Sequence, residues 1–90
     1  MNSETRLLNR AIADRDLSYL LKRGVADHWF SDPDDRRLWQ FVRSHYSKYA
    51  ECPSLEVIQS NFPSFKPLAV EDSIEYLVDD VVAQIGRAHV

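Results

Sequence analysis

Ninety residues make one small domain, near the lower limit at which a chain supports its own hydrophobic core. Eleven Lys and Arg against fourteen Asp and Glu give a net charge of -3, which speaks against a free-standing nucleic-acid binder with a basic face. A single cysteine excludes an internal disulfide and a cysteine-rich zinc site. No apolar run nears the ~20 residues of a membrane span and the N-terminus lacks a secretory hydrophobic segment, so a cytoplasmic chain is expected.

Apolar residues recur at helical spacing nearly throughout. Leu7, Leu8, Ala11 and Ile12 mark one face of a first helix opening near Ser3. Asp16 is placed to cap a short second helix carrying Leu17, Leu20 and Leu21, and Gly24 supplies its left-handed stop. Val25, Trp29 and Phe30 form an apolar corner. From Pro33, the pattern Leu38, Phe41, Val42, Tyr46 and Tyr49 predicts a long amphipathic helix, ended by Cys52-Pro53. Ser54 is placed to cap a short helix bearing Leu55, Val57 and Ile58.

The stretch NFPSFKP, 61–67, has two prolines, two phenylalanines and no helical period, and reads as a loop whose aromatics tuck back into the core. A last helix is expected from about Glu71, with Ile74, Leu77, Val78 and Val81 inward. No segment alternates with a period of two and no repeat is present. The expected fold class is all-α, a small orthogonal bundle of five to six helices. Trp29, Phe30, Leu38, Phe41 and Val42 are expected to share one core.

The segment WFSDPDDRRLW, 29–39, concentrates acids between two tryptophans and poses the question of chemistry. Asp32 stands directly before Pro33, the order of a helix cap followed by a first helical position that tolerates proline. Asp34 and Asp35 fall in the first turn, where the helix dipole favours negative charge. A metal site would need further ligands, and only His28 lies near. The segment is read as a helix start. Ser44 and His45 are adjacent on a helix and diverge, so they form no nucleophile–base pair. No glycine-rich phosphate loop precedes residue 86, and Cys52 reads as a structural or incidental thiol. The chain is expected to carry no catalytic, cofactor-binding or metal-binding residue.

Charge is unevenly placed. Residues 1–49 hold nine basic and seven acidic groups, net +2; residues 50–84 hold one and seven, net -6. The second half would repel a phosphate backbone and suit a basic protein partner. Arg36, Arg37 and Arg43, interleaved with acids, form either a solvated helix face or a partner surface.

The order of these pieces over 14–63, DRDLSYLLKRGVADHWFSDPDDRRLWQFVRSHYSKYAECPSLEVIQSNFP, resembles the N-terminal domain of DnaB-type replicative helicases, most closely the forms carried by phages of actinobacteria. The resemblance rests on a short helix pair, the Phe30-Ser31-Asp32 corner, Arg37 followed by Trp39, a long helix, a break at Pro53 and a short helix capped by Ser54. FKPLAVEDSIEYLVDDVV, 65–82, looks like the continuation in the phage forms, so the likeness covers about residues 4–84. Order and spacing carry it, since no single motif is diagnostic. Ala50 departs from the pattern, which often has glycine there.

The resemblance implies a helical head domain that builds the N-terminal collar of a hexamer and contacts primase or a helicase loader. ATP and magnesium would belong to a separate RecA-like motor domain, and DNA would be engaged only through the full-length protein. Two other functions remain open: a free-standing phage replication accessory or adaptor protein, and a small helical DNA-binding domain reading DNA with the helix after Ser54. That helix carries Glu56 and no basic residue. Domain 1–84 is followed by IGRAHV, 85–90, which drops the apolar pattern after Gln84 and can be encoded by the start of a common sequencing-adapter oligonucleotide. It is read as adapter read-through rather than a natural C-terminus, so Gly86, Arg87 and His89 are set aside from functional reasoning.

Overall fold

The first helix, α1 (Ser3–Asp14), is the central element of the computed structural model, which describes residues 3–88, with side chains through residue 85. Leu7, Leu8 and Ala11 are fully buried and Ile12 nearly so, which gives α1 an apolar face wider than a surface helix needs. Its buried polar residues are satisfied. Asn9 Nδ2 donates to the Thr5 carbonyl, Asn9 Oδ1 accepts from Leu68 N, and Ser3 Oγ donates to Asp80. Each fully buried leucine contributes ~1.5–3 kcal/mol, so a core of this size depends on many such residues at once.

Arg15, at φ 56°, turns the chain out of α1 in a left-handed conformation. Asp16 Oδ1 then accepts from Ser18 N at 2.9 Å, holding the turn into α2 (Ser18–Lys22). Gly24 follows at φ 78°, the conformation for which glycine has no steric cost. A 3-10 turn, Asp27–Trp29, leads through Phe30 to α3 (Pro33–Tyr49). Next come α4 (Leu55–Asn61), a loop and α5 (Ile74–Ala88). Among the described residues there is no strand, and the fold is a small all-α bundle.

Helix α1 packs against both α3 and α5. Ser3, Arg6 and Arg10 reach α5 and its lead-in, bonding Asp80, Asp72 and the Val70 carbonyl. Glu4 and Thr5 reach the other way, to Ser31 and to Asp35 in the first turn of α3. The two long helices therefore flank α1 on different sides.

The core differs from the sequence expectation in its composition. Phe30, Leu38 and Val42 are buried as expected, but Trp29 and Phe41 are only partly buried against that core. Trp39, absent from the expected set, is fully buried and stacks on Phe30. The reason is rotational. Helix α3 turns the arc Leu38, Trp39 and Val42 inward, leaving Phe41 at its edge and Tyr49 55% exposed. In α4 only Ile58 is buried, while Leu55 and Val57 face outward.

Helix α5 begins at Ile74 instead of Glu71. Ser73 explains the start: its hydroxyl accepts from Tyr76 N and its carbonyl from Leu77 N, so it occupies the cap position. The helix continues past Gln84, with Ile85 packed against the core. His89 lies outside the described residues.

Candidate interaction surface

The acidic corner resolves into three carboxylates with three separate local partners. Asp32 Oδ1 accepts from Asp34 N at 2.8 Å, satisfying a free donor of the first turn of α3, with Pro33 following it. Asp34 pairs with Arg37 three residues on, and Asp35 accepts from the Thr5 hydroxyl at 2.6 Å. Burial holds the Asp35 carboxyl above its ordinary value. The Thr5 bond opposes that shift, and the negative charges of Asp32, Glu4 and Asp34 add to it. Ser54 plays the corresponding part for α4, accepting from Val57 N at 3.3 Å.

Beyond the first turn, α3 has a different character. From Arg36 to Tyr49 it contains no acidic residue, and Arg36, Arg37, Arg43 and Lys48 are all exposed. Arg36 and Arg43 are seven apart, two helical turns, and so lie on one face. The acids beside these arginines, Asp34 and Asp35, lie in the first turn of α3, so the exposed charges beyond the helix entry are cationic. Arg36 spends one N–H on the Phe30 carbonyl, and Arg37 is engaged by Asp34. Lys48 lies 5.3 Å from the centre of the Tyr49 ring. Between Arg43 and Lys48, the small side chains of Ser44 and Ser47 floor a shallow recess of about 330 Å³.

Beside this face runs an aromatic row. Phe41 meets Phe62 edge-on at 5.4 Å, and His45 lies between Phe41 and Tyr49, 4.6 Å from the latter. His45 is thereby a packing residue, and His28 is exposed. A larger groove of about 840 Å³ lies between the entry of α3 and the loop carrying Phe62, Pro63 and Phe65. Its carboxylates are the ones already bonded within the chain.

The outward side of α5 and of the residues leading into it has the opposite sign. Glu71 and Glu75 are exposed, Tyr76 is 55% and Val82 41% exposed. Asp72, Asp79 and Asp80 are internally bonded, to Arg6, Arg23 and Ser3 respectively. Sequence reasoning assigned no role to Tyr76 and Val82; Tyr76 next to Glu75 and Val82 two turns beyond it, both off the Leu77–Val78–Val81 stripe, were the available signal.

Cys52 is buried, and burial, with a contribution from nearby Asp16 against that of Arg15, raises its thiol to about 11. It is a protonated packing group at neutral pH. Among the described residues no group of three or more His, Cys, Asp and Glu side chains could hold a metal ion, and no helix is long and apolar enough to cross a membrane. Comparison with protein-family models, curated proteins and solved structures found no match.

Proposed function

We propose that this domain is the N-terminal assembly and protein-interaction head of a replicative DNA helicase, contributing to the ring and to contacts with primase or a loader. The observation that carries the reading is the ordered run Phe30-Ser31-Asp32, Arg37, Trp39, Pro53 and Ser54, the pattern by which the chain resembles DnaB-type head domains. The structure supports it by giving most of these residues fold-building positions. Phe30 and Trp39 are stacked in the core, Asp32 and Ser54 open helices, Ser31 is bonded by Glu4 on α1, and Pro53 is buried. The pattern thus marks a scaffold, and the work falls to the exposed faces of α3 and α5.

In this reading catalysis belongs to a motor domain elsewhere in the parent protein, where ATP and magnesium would bind. The DNA-reading alternative through α4 finds little support, because that helix exposes Leu55, Glu56 and Val57 and carries no cation. Sequencing the source gene around this segment tests the proposal. A GxxxxGK[ST] phosphate loop downstream in the same frame supports a helicase. A stop codon soon after Gln84 would contradict it and favour the accessory or adaptor protein.

A further inference from the structure

Residues 63–72 carry the chain from α4 to the cap of α5 without helix or strand, and none of them is buried. Among the described residues, the polar bonds that tie this segment down all run to one face of α1. Arg6 pairs with Asp72, Asn9 Oδ1 accepts from Leu68 N at 3.0 Å, and Arg10 donates to the Val70 carbonyl at 3.0 Å. Spacings of three and four put Arg6, Asn9 and Arg10 side by side on that helix. Asn9 is the central tether. It is only 6% exposed, and its Nδ2 donates to the Thr5 carbonyl, which leaves Oδ1 aimed at the segment.

The segment covers open space as well as core. The groove of about 840 Å³ separates Pro63 and Phe65 from Thr5, Asn9 and Leu38, and Phe65 and Val70 are only partly buried against the core. The long helices hold one another without it, through buried Leu7, Leu8, Trp39, Leu77 and Val78. Lifting the segment therefore uncovers few apolar groups, and water replaces each polar bond that breaks. The released residues also regain backbone entropy. Segments of this kind open at lower free energy than the core they rest on.

We propose that residues 63–72 form a strap that opens as one unit, latched by Asn9, while the α1–α3–α5 core stays folded. Opening pivots at the end of α4, which buried Ile58 anchors, and at the Ser73 cap of α5. It removes one wall of the groove, so the latch controls access to the Thr5, Asn9 and Leu38 side. The device belongs to the fold and holds whatever the parent protein does.

Native-state hydrogen exchange of the full chain, followed amide by amide in rising denaturant, tests the proposal. The Leu68 and Phe65 amides are expected to exchange faster than those of Leu8 and Val78, with a weaker denaturant dependence. Asn9→Ala is expected to speed both by roughly two- to tenfold, the effect of losing one hydrogen bond. Arg6→Ala cuts only the tether at Asp72, from a half-exposed side chain, and is expected to speed both by about two- to fivefold. That variant carries the test should Asn9→Ala fail to fold. The Phe65 amide bonds the Phe62 carbonyl and neither tether, so its acceleration reports the whole strap and not one lost bond. Exchange of Leu68 or Phe65 at the core rate overturns the proposal, because the segment then opens only with the domain. An Arg6→Ala variant that leaves either amide unchanged overturns it too, because the tethers then do not act on one unit. So does a Leu68 amide without protection, since no latch then holds.

Discussion

Phe30 and Trp39 stack with ring centroids 5.5 Å apart and planes inclined by 29°, both completely buried. Phe30 ends the corner after the 3-10 turn and Trp39 sits two turns into α3, so this pair fixes the angle at which the long helix enters the bundle. Trp39→Ala is expected to cost ~3–5 kcal/mol, as emptying a buried aromatic site does. Phe41→Ala, at the edge of the core, is expected to cost less. Chemical denaturation of the two variants checks the order, and a larger loss for Phe41→Ala would contradict the arrangement.

Asp32 opens α3 through a single hydrogen bond to Asp34 N. Asp32→Ala is expected to lower stability by roughly 0.5–2 kcal/mol, and Asp32→Ser to retain most of it. An unchanged denaturation midpoint for Asp32→Ala would remove the cap from the account.

Ala50 ends α3 at φ 59°, a left-handed conformation that costs a residue with a Cβ ~1–2 kcal/mol. Glycine loses about 0.5–1 kcal/mol in backbone entropy against that gain. Ala50 is exposed and gives up no packing, so Ala50→Gly is expected to raise stability by up to ~1 kcal/mol. A loss of stability would mean that the Ala50 methyl group makes a contribution that its exposure does not suggest.

Local features of this kind were legible in the sequence because they involve residues three or four apart. Asp32, Ser54 and Gly24 each act on the adjacent turn. The rotation of α3 was not legible. Leu38, Phe41 and Val42 fit a helical stripe as well as Leu38, Trp39 and Val42 do, and only the position of Phe30 selects Trp39. The cap at Ser73 is not distinctive in the sequence, because Glu71 and Asp72 before it also suit the start of a helix. Which acids on the α5 side are already paired depends on the bonds Arg6–Asp72 and Arg23–Asp79, whose partners lie far apart in the chain.

Asp35 gives the fold a pH dependence of known sign. Burial is the main cause of its raised carboxyl, so the folded protein binds that proton more tightly than the unfolded chain does. Between the ordinary value of 3.8 and the raised folded value, the native state holds more proton, and this group's contribution to stability falls as pH rises. It stays at the reduced level above that window. Asp35→Asn keeps an acceptor for the Thr5 hydroxyl but cannot ionise. Denaturation midpoints across pH are expected to shift in favour of Asp35→Asn as pH rises through the window. A shift in favour of the wild type would mean that the helix dipole outweighs burial.

On the proposed function, this domain works by protein contact and does not grip DNA. Fluorescence anisotropy of labelled single-stranded and duplex DNA, titrated with the full chain at low and at moderate salt, tests it most directly. The charge of -6 over residues 50–84 and the short cationic stripe on α3 predict weak or undetectable binding to both. Tight binding that falls steeply with salt, the signature of many phosphate contacts, would contradict the claim and make the cationic face of α3 a nucleic-acid surface.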